Sequence, residues 1–301
     1  MIIGLDLGNL TTTCIGEEKE ITFESRLKEF QDIDNFTDKD IFEIDNKKFV
    51  MEEGYFENNL IKHDKENFIN LVYYAIGKVT NEPSIKLVIG IPAGQYNYEK
   101  ENLRKVILKQ SCKSIKINGE LKTITIEDVF VVPEGYGIKV EALQDLNNKN
   151  KTLVIDIGGG TTDIAEFNES NKFIGGKSIK TGLLDMYKNI VDIVDSRYKL
   201  NITLEDARKY FDGELVIRNE KFEEETAYKK EALKNMLKIL INDIRGIYSN
   251  ITQYNIILSG GGAKISNSTF LKLYPQTKAI EDIKANAKGF RKVGIAKWQK
   301  K

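Results

Sequence analysis

The chain has 301 residues, with 45 Lys and Arg against 45 Asp and Glu, one histidine and two cysteines. A formal net charge of zero excludes broad electrostatic attraction to nucleic acid or an anionic membrane, which needs a surplus of Lys and Arg. The lone histidine, His63, excludes zinc sites built on two or more imidazoles and leaves any Ser-His or Cys-His arrangement a single candidate base. The composition, 41% hydrophobic and 30% charged, is that of a soluble globular protein long enough for two domains. Cys14 and Cys112 fall in no CxxC spacing and read as reduced thiols of a cytoplasmic protein. The first 16 residues carry no basic leader and no apolar run is long enough to span a bilayer, so neither a signal peptide nor a membrane segment is expected.

In chain order, residues 2–8 read as a buried strand ending in a turn at Asn9, with β-rich stretches at 11–15 and 21–23 completing an antiparallel meander. Residues 17–62, acidic and aromatic over 30–58, suggest a small peripheral subdomain. Lys62-His63-Asp64-Lys65 reads as a solvated loop or helix start, leading into a helix over about 64–79. A central strand at 87–92 ends at Pro92, and a helix at 98–109 and strands at 115–117 and 121–132 follow. Pro133-Glu134-Gly135 breaks the pattern before a helix to about Leu146, and the polar run 147–151 marks the domain boundary, dividing 1–150 from 151–287.

The second half restarts the opening pattern over 152–167. A strand at 172–179, helices at 182–198 and 203–213 and a long helix at 220–248 are expected, with 195–225 as a second peripheral subdomain. A strand at 255–259 runs into a turn at Gly260-Gly261-Gly262, and a last helix starts near Ala287, its residues 288–301 packing back on the first domain.

The informative feature is an internal repeat. Asp6-Leu7-Gly8-Asn9-Leu10-Thr11-Thr12 recurs as Asp156-Ile157-Gly158-Gly159-Gly160-Thr161-Thr162, each after a buried apolar strand. Two such hairpins facing across a cleft suit a polyphosphate: glycines let the backbone approach, threonine hydroxyls add donors, and an Asp before each turn can hold a hydrated Mg²⁺. The plainer alternative is a pair of ordinary tight hairpins in a tandem fold. Other nucleotide devices are missing: there is no GxxxxGK[ST], and Asp163 stands where a GxGxxG would need its third glycine.

These hairpins, with Pro133-Glu134-Gly135 and Ile257-Leu258-Ser259-Gly260-Gly261-Gly262, resemble the actin-like ATPase superfamily. Its phosphate-one, connect-one, phosphate-two, adenosine and connect-two motifs would be residues 4–13, 131–143, 153–165, 256–263 and 286–295, in the family's order and spanning nearly the whole chain. Within it, the length and Pro133-Glu134-Gly135-Tyr136 are most similar to bacterial plasmid-segregation actin-like proteins of the ParM type.

The resemblance implies an α/β fold of two ribonuclease-H-like domains around a nucleotide cleft, each with a peripheral subdomain. It implies ATP, with GTP as the alternative, and Mg²⁺ held largely through water by Asp6 and Asp156. Glu134 would orient or deprotonate the attacking water, with Asp6 and Asp156 completing the reacting centre and Asp163 behind them. Phosphate contacts would come from Gly8, Asn9, Leu10, Thr11, Thr12, Gly158, Gly159, Gly160, Thr161 and Thr162, with Gly182 beside them. Gly260, Gly261 and Gly262 would approach the adenosine, as would Glu231 and Lys234 unless they form a solvated helix face. The implied activity is a nucleotide-driven cytoskeletal filament, its partners being further copies of itself and a DNA-binding adaptor, with no direct nucleic acid or membrane contact. A small-molecule kinase on the same fold and a non-polymerising ATP-switched scaffold are the alternatives.

Overall fold

The computed structural model describes residues 1–31, 38–57, 59, 61–142, 150–217, 220, 221 and 226–299. Ile2, Ile3, Leu5 and Leu7 are all enclosed, as in a strand covered on both faces. They form β1 (Ile2–Leu7), which turns into β2 (Thr11–Ile15) and β3 (Glu20–Glu24) as an antiparallel meander. Then come β4 (Leu27–Glu29), β5 (Ile41–Ile44), β6 (Lys47–Met51), a 3-10 turn at Lys62–Asp64, α1 (Phe68–Val79) and β7 (Ser84–Ile91). The first half closes with α2 (Tyr96–Lys109), β8 (Cys112–Ile117), β9 (Glu120–Pro133) and α3 (Tyr136–Ala142).

The second half opens the same way, with β10 (Thr152–Ile157), β11 (Thr162–Phe167) and β12 (Phe173–Ile179). It continues through α4 (Leu183–Tyr198), α5 (Leu204–Asp212), β13 (Val216–Ile217), β14 (Glu220–Lys221) and α6 (Thr226–Ile247). β15 (Asn255–Ser259), α7 (Ala263–Leu273), β16 (Thr277–Ala279) and α8 (Ala285–Trp298) complete it.

The sequence repeat is a repeat of topology. One sheet contains the order β3-β2-β1-β7-β9 and the other is β12-β11-β10-β15-β16, each a meander followed by two parallel strands. Asp6 and Asp156 therefore occupy equivalent places, near the ends of the two central strands. Each half has its own core. In the first, Leu71, Val72, Ala75 and Ile76 of α1 cover the sheet; in the second, Ile190 and Val194 of α4 and Met236, Leu240 and Ile244 of α6 share one core with Leu153 and Ile155 of β10 and Ile256 and Leu258 of β15.

Several expectations change. β3 continues the main sheet rather than belonging to a peripheral subdomain over 17–62. β4, β5 and β6 reach that sheet through β8, because the 14-residue β9 pairs with β8 along its first part and with β7 along its second. The long helix, described from Thr226, does not begin at 220, since Glu220–Lys221 pairs antiparallel with Val216–Ile217. Two elements between Gly262 and Ala285, α7 and β16, were not expected at all. Helix α3 is described as far as Ala142, and the expected helix end near Leu146, with most of the 147–151 linker, lies outside the described residues. Among the described residues no helix is long and apolar enough to cross a membrane.

The last helix, α8, packs back on the first sheet at van der Waals limits. A Cβ on Gly4 would lie 2.2 Å from the carbonyl oxygen of Ala287, and one on Gly289 would lie 2.1 Å from that of Gly137. Helices α3 and α8 thus cross backbone to backbone where the chain passes between halves, an approach only glycine allows.

Candidate functional site

Between the halves lies a cavity of ≈ 270 Å³, built around the two repeated turns. Each turn is closed by the same bond: the Gly8 amide donates to the Thr11 carbonyl at 3.0 Å, and the Gly158 amide to that of Thr161 at 2.9 Å. The turns meet, since a Cβ on Gly159 would sit 2.3 Å from Cγ of Leu10. The second turn is seated on the start of α4, where the Leu183 and Leu184 amides donate to the Gly158 and Gly159 carbonyls at 3.1 and 2.8 Å. Beside the second turn, at the end of β15, Gly260 has φ +84, and a Cβ there would strike Oδ1 of Asp156 at 2.3 Å.

Four carboxylates converge on this space. Burial is the main reason that Asp6 is pushed up to about 6, with the nearby Glu134 carboxylate adding to it. Burial also raises Asp156 well above the ordinary range, helped by Asp6 and Glu134. Asp163 rises to about 7 through burial and Glu134, against the bonds it accepts from Ser178 and Thr161. Such a cluster lowers its free energy by acquiring positive charge. Two lysines from the 3-10 turn region supply some. Lys62, 4% exposed, donates to Oε1 of Glu134 at 2.5 Å and to the Gly90 carbonyl at 2.9 Å. Lys65 donates to Oδ1 of Asn9 at 2.6 Å, and burial with the neighbouring Lys62 charge lowers it to about 8.

Asn286 joins the halves at the floor: its Oδ1 accepts from the Gly135 amide at 3.2 Å and its Nδ2 donates to Oδ2 of Asp156 at 3.1 Å. The left-handed Gly135, φ +86, lets β9 turn into α3 directly after Glu134.

Asp6, Gly8, Asn9, Leu10, Thr11, Glu134, Asp156, Gly158, Gly159, Thr161, Gly260 and Gly261 all line the cavity. Gly182 and Gly262 lie behind it: a Cβ would meet the Gly159 carbonyl at 2.5 Å in one case and Ile157 Cγ2 at 2.3 Å in the other. Gly160 does not line it either. Thr12 and Thr162 are corrections to the expected phosphate contacts, because both are fully buried and bonded elsewhere. The Thr12 hydroxyl pairs with that of Ser25 at 2.8 Å, and the Thr162 hydroxyl donates to the Thr181 carbonyl at 2.7 Å. Glu231 and Lys234 are exposed on α6 and do not line the cavity, so the solvated-face alternative describes them.

The sequence reading missed Lys62 and Lys65 because a Lys-His-Asp-Lys run looks solvated; folded into the cleft, both are buried. Ser178, Gln95 and Asn286 also line the site. Among the described residues no three His, Cys, Asp or Glu side chains stand close enough to ligate an ion directly. The carboxylates fit a cation held through its water shell, as Mg²⁺ commonly is.

Residues 4–137 match the family described as actin-like proteins, N-terminal domain. The archaeal actin homologue Ta0583 superposes with a TM-score of 0.87 at 20% identity, covering 98% of this chain and 99% of that one. This is an actin-like fold. The same archaeal protein in complex with ADP gives 0.84 at 19% identity, over 98% and 99% of the two chains. The ParM subunit of a 15-stranded filament from Clostridium botulinum gives 0.82 at 20%, again over 98% and 99%. No curated protein matches by sequence.

Proposed function

We propose that this actin-like chain binds a nucleoside triphosphate with Mg²⁺ in the cleft, polymerises in that state and hydrolyses the nucleotide to weaken the polymer. The observation that carries this is the meeting of two glycine turns over four carboxylates and two buried lysines at one interdomain cavity. The backbones of Asn9, Leu10, Thr11, Gly159 and Thr161 would hold the phosphates, and Gly260 and Gly261 the nucleoside. Asp6 and Asp156 would hold Mg²⁺ through waters, where it neutralises phosphate charge. Glu134, which lines the same cavity, would orient a water and take its proton.

The amides of Gly8 and Gly158 are already used within their turns, so these glycines serve by lacking a side chain. The ADP complex of the archaeal homologue and the ParM filament support nucleotide binding and self-assembly for this chain. Non-closing head-to-tail contacts give such filaments. We further propose a cytoplasmic role in plasmid DNA segregation, with a basic adaptor protein holding the DNA. The balance of 45 cationic against 45 anionic residues supports an adaptor over direct binding.

Pelleting with ATP, GTP, ADP or no nucleotide, each with Mg²⁺, tests the reading. Sedimentable polymer with a triphosphate only is expected. Its absence at micromolar protein, or hydrolysis that requires an added small-molecule acceptor, overturns it in favour of a scaffold or a kinase.

A further inference from the structure

An ion pair outside the nucleotide cavity joins the two halves of the chain. Arg208, on α5, donates through Nη1 to Oε1 of Glu24, at the end of β3, at 2.8 Å across 184 residues of sequence. Both ends are already held in place. On the Glu24 side, its Oε2 accepts from Nε of Arg26 at 2.7 Å, and its amide donates to the Glu52 carboxylate at 3.0 Å. Arg26 in turn stacks over the Phe56 ring at 4.9 Å. On the other side, Nη2 of Arg208 donates to Glu205 one turn earlier in α5 at 3.0 Å. That helix is fixed at its start by a reciprocal cap between Thr203 and Asp206. Little side-chain freedom remains to be lost when the pair forms, which is what makes a surface ion pair effective.

Each end also connects to a cleft turn. The residue after Glu24 is Ser25, whose amide donates to the Leu10 carbonyl at 2.8 Å and whose hydroxyl pairs with Thr12. Beyond Arg208, Phe211 of α5 packs edge-on against Tyr187 of α4 at 6.3 Å, and the first amides of α4 hold the Gly158 and Gly159 carbonyls. A short chain of bonds and packed rings therefore runs from the ion pair to both turns. Burial raises the Glu24 carboxyl, but the bonds from Arg208 and Arg26 outweigh it and hold it below its ordinary value, so the pair stays charged at neutral pH.

We propose that Glu24 and Arg208 form an interdomain clasp that sets how readily the two halves part, and so how fast a nucleotide leaves the cleft. The second clause rests on the nucleotide reading above; the clasp itself does not.

The test follows release of a fluorescent ADP analogue, chased with excess ATP, from wild type, Glu24→Gln, Arg208→Ala and the double variant. Arg208 is 38% exposed and Glu24 18%, so release about two- to fivefold faster is expected for each single variant. The double variant should be no faster than the singles, since the Glu24–Arg208 pair is lost in every case. High salt should bring wild type close to the variants. Unchanged rates, or single effects that multiply in the double variant, overturn the clasp. If the analogue does not bind at all, the nucleotide reading fails separately. Small-angle scattering of the nucleotide-free chain then decides the clasp: a larger radius of gyration in Arg208→Ala supports it, and an unchanged radius overturns it.

Discussion

Nζ of Lys62 lies 2.5 Å from Oε1 of Glu134, joining a 3-10 turn to the end of β9 inside the cleft. The pair is 5% and 13% exposed at its side chains, and the lysine is also tied to the Gly90 carbonyl. A carboxylate among three others would otherwise be free to turn; the ammonium holds it at one orientation and offsets part of the negative charge around it.

Replacing Lys62 by Met should leave Glu134 without that partner. Phosphate release is expected to fall at least about tenfold, because positioning of a base is worth that much or more. Folding stability should drop by about 1–3 kcal/mol through the unpaired buried group. Lys62→Arg should retain more of both. Single-turnover phosphate release and urea unfolding are the measurements, and full activity in Lys62→Met contradicts the assignment.

The raised carboxyls predict an unusual pH response. Asp6 and Asp163 are held at about 6 and about 7 in the folded chain, against an ordinary value of 3.8. The native state therefore binds more protons than the unfolded one between roughly pH 4 and 7, and stability falls as pH rises through that window. Carboxyls held low by cations, such as Asp40 and Asp282, act below that window and do not offset the trend. In EDTA the melting temperature should be higher at pH 5.5 than at 7.5, and Mg²⁺ should restore stability more at 7.5. A melting temperature that climbs with pH in EDTA contradicts the cluster.

Gly260→Ala should damage the site directly. Its φ of +84 disfavours any side chain, and the new Cβ would collide with Asp156 Oδ1 at 2.3 Å. A loss of about 1–3 kcal/mol is expected from the strain alone, with weaker nucleotide binding. Gly175→Ala, where a Cβ meets nothing within 4 Å, is the matched control and should be close to neutral. Denaturant midpoints separate the two.

The parts of this site visible in the sequence were those tied to local backbone chemistry. Asp-x-Gly turns after buried strands announce themselves because strand, turn and glycine are all short-range requirements, and both hairpins fold as read. Lys62 and Lys65 were not visible, since their burial depends on a cleft assembled from segments far apart in sequence. Thr12 and Thr162 looked like ligand donors, but their hydroxyls are taken by Ser25 and Thr181, partners no spacing reveals. Helix α7 runs through Ile265-Ser266-Asn267-Ser268-Thr269, where weaker helix formers hide a helix that packing on β15 and β16 supports. The start of α6 was misplaced because 220–221 pairs with 216–217, a two-residue ladder too short to show a period.

The central claim is that nucleotide in this cleft drives assembly and that Glu134 ends it. Light scattering followed over time, for wild type and Glu134→Gln with ATP and Mg²⁺, tests it most directly. Wild-type signal should rise and then decay as nucleotide is consumed, while Glu134→Gln should rise and persist. No rise in either protein, or identical decay in both, would contradict the account.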